Sequence, residues 1–229
     1  MLAGGLGKRL RSSVSEVPKP MAPVAGRPFL CYLLDQLLDQ GFGRAILSVG
    51  YRSEAISAYF GNNYRGIAID YAVETEPLGT GGGLAAALER AGGPYVLTMN
   101  GDSFLRFDLT VLARTLRDAG PAALAVSVCE LDDAGRYGRV ELAQGRIQRF
   151  LAAGVPGPGL INAGVYLVPR DLFRRFPMPA RFSFEADFLE ARIAELRPVA
   201  AVFRGSFIDI GIPSAFDAAQ TLLPLWTKV

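Results

Sequence analysis

The chain has 229 residues, half of them hydrophobic, and 24 lysines and arginines against 22 aspartates and glutamates give it a formal charge of +2. That length buries a full core as one large α/β domain, and the near balance of charge leaves no broad cationic field to hold nucleic acid. Histidine is absent, so Ser-His-Asp triads, histidine general bases, His-ligated zinc and phosphohistidine chemistry are excluded; an enzyme built here works with carboxylates, cations and backbone.

The opening "MLAGGLGKRLRSSVSEVPKPMAP" sets Gly4, Gly5 and Gly7 in a turn flanked by Lys8, Arg9, Arg11 and Lys19. A glycine backbone approaches a ligand closely, and clustered cations point to an anion such as a polyphosphate. An ordinary turn leaving a first strand fits the glycines equally well. The loop is neither G-x-G-x-x-G, because Leu10 stands at the third glycine, nor a P-loop, because Leu2 and Arg9 occupy two of its required positions.

Next, "PFLCYLLDQLLDQG" carries apolar residues at helical spacing, with Pro28 at its start and Gly41 as a stop. "RAILSVG" (44–50) reads as a strand, and "SEAISAYFG" as a helix capped by Ser53 and stopped by Gly61. "IAIDYAV" (67–73) is a strand. "GTGGGLAAALERAGG" opens with glycines and becomes helical from about Leu84. "YVLTMN" (95–100) and "AALAVSVC" (122–129) are further strands. Such alternation predicts a parallel sheet with helices on both faces and ligands beyond the carboxyl ends of its strands.

After residue 130 the pattern turns β-rich. "GRVELAQGRIQRFL" reads as a hairpin turning at "AQG", and "AAGVPGPG" as a loop. "LINAGVYLV" is a strand, "SFEADFLEARIAEL" an amphipathic helix, "VAAVFRGSFIDIG" a pair of strand-like runs, and "PSAFDAAQTLLPLW" a closing helix. No repeat or linker interrupts the chain, so 1–229 is expected to form one domain. Cys31 and Cys129 stand in apolar runs without metal-ligand spacing and read as buried free thiols of a cytoplasmic protein. No signal peptide is visible and no apolar run is long enough to span a bilayer, so no membrane partner is expected.

"LAGGLGKRL" followed by "PKPMAPVAGRPFL" resembles the signature of sugar-1-phosphate nucleotidylyltransferases, and "EPLGTGGGL", "NGDSF", "LINAGVYL", "FSFEADFL" and "SFIDIGIP" follow in the same order. The resemblance spans nearly the whole chain. It implies a Rossmann-like three-layer α/β/α fold with a mixed, mostly parallel central sheet and a small β-rich elaboration in the second half. Residues 1–130 would be the nucleotide-binding half and 131–229 the sugar-phosphate-binding half. The branch most resembled is that of guanylyltransferases acting on D-glycero-α-D-manno-heptose 1-phosphate. Uridylyltransferases acting on N-acetylmuramate 1-phosphate are similar less closely, and a non-catalytic nucleotide-sugar sensor is the alternative outside enzymology. A homo-oligomer is compatible with any of these.

The family implies transfer of a nucleotidyl group from a nucleoside triphosphate, GTP being favoured, to a sugar 1-phosphate. Catalytic roles are implied for Arg9, Lys19 and Asp102. Leu2, Ala3, Gly4, Gly5, Gly7, Lys8, Glu76, Gly81 and Asp102 correspond to the nucleotide side, and Asn162, Gly164 and Glu185 to the sugar-phosphate side. Asp102 and Asp209 correspond to ligands of one Mg²⁺, which prefers carboxylate, water and phosphate oxygens. Local sequence alone also allows Asp102 in an Asx turn, Glu76 on the surface, the glycines of "GTGGG" in a plain strand-to-helix turn, and Glu185 as a first-turn helix carboxylate. The chain departs from the family in three respects. Only Met1 and Leu2 precede Ala3, Lys8 replaces a small residue, and Ala186 stands where related guanylyltransferases often carry lysine.

Overall fold

The computed structural model describes residues 1–4, 17–120 and 124–227. Residues 1–3 lie extended at the centre of the molecule. Leu2 bridges in parallel to Ser48 on one side and to Asn100 on the other. Its amide donates to the Met99 carbonyl at 2.8 Å, and the Ala3 amide to the Ser48 carbonyl at 2.7 Å. Residues 1–3 therefore act as a short central strand.

Around it the chain builds a hairpin, β1 (Pro23–Val24) and β2 (Arg27–Pro28), then α1 (Phe29–Asp39), β3 (Arg44–Val49), α2 (Ser53–Phe60), β4 (Asn63–Tyr64) and β5 (Ile67–Val73). α3 (Gly79–Arg90), β6 (Tyr95–Met99), β7 (Ser103–Leu105), α4 (Leu109–Ala119) and β8 (Ala125–Leu131) follow. The second half contributes β9 (Arg139–Ala143), β10 (Arg146–Leu151), β11 (Gly159–Pro169), α5 (Leu172–Arg175), a π-helical turn (Phe184–Glu190), α6 (Ile193–Leu196), β12 (Val199–Arg204), β13 (Phe207–Asp209) and α7 (Pro213–Trp226).

β4, β5 and β3 form one run of the sheet, and β6, β11, β8, β12, β10 and β9 form the other. The strand at residues 1–3 joins the two runs. The sheet is mixed: β3 with β5 and β8 with β12 are parallel, whereas β11 pairs antiparallel with both β6 and β8. Strands from before and after residue 130 thus interleave. Two apolar layers cover its faces. Phe29, Leu33, Ile56, Leu112, Leu116 and Phe216 of α1, α2, α4 and α7 share one core. Leu84, Leu88, Leu172, Phe184, Phe188 and Leu196 of α3, α5, the π-turn and α6 share the other. β8 feeds both cores through its period-2 alternation, Ala125 and Cys129 facing one and Val126 and Val128 the other. This is the three-layer arrangement expected.

Several boundaries move. The β9–β10 hairpin turns at Gln144 and Gly145, both with positive φ, as a twist-matched two-residue turn requires. The helix at Ser53 has no side-chain cap; Arg52 precedes it in the left-handed region. The amphipathic stretch after residue 183 is not one helix but a π-turn and the short α6. α4 has no counterpart in the sequence reading. Asp108 caps it by accepting from the Thr110 amide at 2.7 Å, and Gly120 with φ +94° closes it. Cys31 and Cys129 are free and buried as expected, and among the described residues no helix is long and apolar enough to cross a membrane.

α3 begins five residues earlier than expected, at Gly79. Each glycine costs a helix about 1 kcal/mol relative to alanine, and packing explains why the run persists. A Cβ on Gly81 would meet the Phe182 ring at 2.2 Å, and one on Gly82 the Ala180 carbonyl oxygen at 2.3 Å. The Gly81 amide donates to the Phe182 carbonyl at 3.0 Å. The glycines let the 180–182 segment lie directly on the helix. Gly81→Ala should therefore destabilise by overpacking, by about 1–3 kcal/mol, lowering Tm by roughly 2–12 °C for a chain of this size. Gly92→Ala, whose Cβ would meet nothing within 4 Å, should leave Tm nearly unchanged; thermal melts followed by circular dichroism decide.

Candidate active site

β7 and β13 pair antiparallel with Asp209 opposite Ser103. The Ile210 amide donates to the Asp102 carbonyl at 3.0 Å. This short ladder sets two carboxylates, 107 residues apart in sequence, at one end of the sheet beside the central strand, where the Gly101 amide donates to the Leu2 carbonyl at 2.9 Å. Lys19 rises to meet them from a 3₁₀ turn (Lys19–Met21) that follows Pro18 and contains the buried Pro20. Its Nζ lies 2.7 Å from Asp102 Oδ2 and 3.8 Å from Asp209 Oδ1, with the side chain only 12 % exposed. On the far side, Arg136 Nη2 lies 3.2 Å from Asp209 Oδ2, and its guanidinium sits 4.8 Å from the centre of the Tyr137 ring.

The Asp102–Asp209 pair is therefore already arranged around a cation, the Lys19 ammonium. Two hard carboxylates that leave room for water and phosphate oxygens are the donors Mg²⁺ favours, so the residues fit that ion. Among the described residues no group of three or more acidic or sulfur side chains could form an all-protein metal cage. Position 186 carries alanine, and Arg136 brings a cation to Asp209.

A second constellation gathers on β11, α3 and the π-turn. Gly164 has φ +74°, and its Cβ would meet Asn100 Nδ2 and Ser103 Oγ, each at 2.9 Å. The pairing of β11 with β8 slips between Asn162 and Tyr166; this bulge brings Asn162 Nδ2 within 2.9 Å of the Tyr166 hydroxyl. Tyr166 Oη donates to Glu185 Oε1 at 3.2 Å, Asn100 Nδ2 donates to the same oxygen at 3.2 Å, and Thr80 Oγ1 donates to Glu185 Oε2 at 2.8 Å. Burial first, then the neighbouring Glu185 carboxylate, pushes the Tyr166 hydroxyl well above the ordinary tyrosine value, so it stays a donor. Ser183 caps the π-turn that carries Glu185 by accepting from the Ala186 amide at 3.2 Å.

Asn162, Gly164 and Glu185 thus come together, as do Lys19, Asp102 and Asp209. Leu2, Ala3 and Gly4 lie at the end of the central strand, and a Cβ on Gly4 would meet Glu74 Oε1 at 2.8 Å. Glu76 is exposed in the loop before α3, and Gly81 is buried beneath Phe182. Gly5, Gly7, Lys8 and Arg9 lie outside the described residues. Thr80, Asn100, Tyr166 and Arg136 escaped the sequence reading. Asn100 adjoins "GD", and Tyr166 stands two residues beyond Gly164 on one strand, signals that a period-2 reading of "INAGVY" carries. Glu74 also escaped it: its carboxylate accepts from Ser48 Oγ and from the Leu78 amide, each at 3.0 Å, and so closes the loop into α3.

The chain is similar to known proteins over nearly its whole length. Residues 1–224 match the family model described as nucleotidyl transferase. The chain is 41 % identical over 220 residues, 96 % of its length and 95 % of the relative's, to a D-glycero-α-D-manno-heptose 1-phosphate guanylyltransferase of Aneurinibacillus thermoaerophilus. It is 38 % identical to the protein of that name in Campylobacter jejuni, over 94 % of this chain and 95 % of the other. The crystal structure of HddC from Yersinia pseudotuberculosis complexed with GMP-PN superposes with a TM-score of 0.81 at 34 % identity, covering 96 % of each chain.

Tyr166→Phe should lower stability by about 1–3 kcal/mol, because Glu185 and Asn162 each lose a buried partner. Combined with Glu185→Gln its effect should be non-additive by about 0.5 kcal/mol or more. Strict additivity in chemical denaturation of the two single variants and the double variant would show that the hydroxyl does not act through Glu185.

Proposed function

We propose, for a chain that belongs to the nucleotidyl transferase family, the transfer of GMP from GTP to a sugar 1-phosphate, with pyrophosphate as the second product. Our preferred acceptor is D-glycero-α-D-manno-heptose 1-phosphate. The observation that carries the transfer chemistry is the convergence of Asp102, Asp209 and Lys19 beside the central strand. Guanine and heptose rest on the names of the full-length relatives.

A phosphate monoester has its second pKa near about 6, so the sugar phosphate arrives at neutral pH largely as the dianion and needs no base to activate it. The absence of histidine costs the reaction nothing. A sugar-phosphate oxygen attacks the α-phosphorus, the bond from that phosphorus to the bridging oxygen breaks, and the electron pair leaves with pyrophosphate. The task is to bring two polyanions together and to stabilise charge as it moves onto the leaving group.

Lys19 would neutralise the α-phosphate, and Arg9 the β- and γ-phosphates. Asp102 and Asp209 would hold Mg²⁺, whose contribution when bound is to neutralise phosphate oxygens and align them for in-line displacement. Ala3, Gly4 and Glu76 would meet the base, beside the Leu2 and Gly4–Gly7 backbone. Glu185, Asn162 and the Gly164 backbone would hold sugar hydroxyls, with Thr80, Asn100 and Tyr166 fixing the Glu185 carboxylate. This makes residues 1–130 the nucleotide side and 131–229 the sugar side of one domain, working in the cytoplasm where GTP is supplied.

The test is pyrophosphate release by the purified chain with Mg²⁺, each of GTP, UTP, ATP, CTP and dTTP, and a panel of sugar 1-phosphates. Turnover with GTP and heptose 1-phosphate, abolished by EDTA and lowered roughly 100- to 1,000-fold by Lys19→Ala as for loss of one preorganised electrostatic partner, is the expected result. Turnover with UTP alone would transfer the assignment to uridylyl chemistry, and nucleotide binding without turnover to a sensor.

A further inference from the structure

The Asp102–Asp209 pair needs no metal to be neutral. Among the described residues its two negative charges face two positive ones: the Lys19 ammonium at 2.7 Å and 3.8 Å, and the Arg136 guanidinium at 3.2 Å. The ammonium is built in. Its side chain is 12 % exposed, and Pro18 and Pro20 fix the backbone that carries it. Gly211 makes room on the opposite side: its amide donates to Asp209 Oδ1, and a Cβ there would come within 3.2 Å of Lys19 Nζ and 2.6 Å of that oxygen. A divalent cation entering this arrangement alone meets a like charge already seated between its ligands, and it would leave the cluster with two uncompensated positive charges.

Resting on the reading above that this pair is the divalent-cation site, we propose that Lys19 is the resident counter-ion of the two aspartates. Polyphosphate, rather than the cation by itself, opens the site. Phosphate oxygens offer Lys19 and Arg136 another anionic partner. As the flexible end of the lysine swings to them, the carboxylates are freed for the metal that arrives with the nucleotide. Lys19 is then a positioning residue for metal loading as well as a phosphate contact. Linkage makes the effect reciprocal, since whatever factor the nucleotide adds to metal affinity the metal adds to nucleotide affinity. The arrangement keeps the carboxylate pair from capturing a stray cation while no substrate is bound.

The experiment uses the full chain and Mn²⁺ alone, without nucleotide, with free Mn²⁺ followed by electron paramagnetic resonance at constant ionic strength. Lys19→Met should bind Mn²⁺ at least about tenfold more tightly than the wild-type chain, while Lys19→Arg, which keeps the charge, should bind as weakly as wild type. Lys19→Gln serves as the second neutral variant if methionine impairs folding, and circular dichroism verifies the fold of each. Equal or weaker Mn²⁺ binding by a folded neutral variant overturns the proposal. Asp102→Asn on the Lys19→Met background separates it from the reading beneath. If tight binding survives that change, the metal assignment itself fails and the proposal with it. If binding depends on Asp102 but is no tighter without the lysine, the counter-ion proposal fails alone.

Discussion

One ammonium group between two carboxylates organises this molecule's functional end. Asp102, in the turn just before β7, and Asp209, at the end of β13, lie far apart in sequence, and like charges so placed repel unless a cation joins them. Lys19 supplies it at 2.7 Å and 3.8 Å. The ion pairs of Lys19 and Arg136 with these carboxylates balance their charge. Under the proposed transfer, chemistry without histidine follows, because a phosphate nucleophile would bring its own charge and the protein would provide fields and positions.

Everything beneath that group serves to hold it. The strand at residues 1–3 joins two runs of sheet and ends beside the aspartate pair, while the β7–β13 ladder sets the pair's separation. The bulge at Gly164 turns Asn162 and Tyr166 toward one another, and Glu185 is fixed by Thr80, Asn100 and Tyr166. Irregular backbone concentrates where ligands are expected, including the π-turn that carries Glu185. The regular helices and strands carry the apolar load on the two faces.

Much of this was legible in the sequence. The strands at 44–49, 67–73 and 95–99 and the helices at 29–39 and 213–226 follow from periodicity and stop signals, and the family resemblance implies the proximity of Asp102 and Asp209 that their shared contact with Lys19 displays. α4 is marked by Asp108, the Leu109–Leu112–Leu116 spacing and Gly120, but only Leu112 and Leu116 of its eleven residues are buried, so its apolar stripe is narrow. The early start of α3 was illegible for a different reason. Glycine has poor helix propensity, and only the Phe182 ring and the Ala180 carbonyl, a hundred residues away, explain it. Arg136 and Tyr166 act through contacts made by tertiary pairing, which no local window contains.

Anomalous diffraction from crystals grown with GTP and Mn²⁺ tests the central claim most directly. One manganese peak is expected at coordination distance, about 2 Å, from both Asp102 and Asp209, with Lys19 Nζ withdrawn from between them and turned to a phosphate oxygen. A manganese ion bound away from either aspartate, or Lys19 still seated between the pair with metal and nucleotide present, would contradict it.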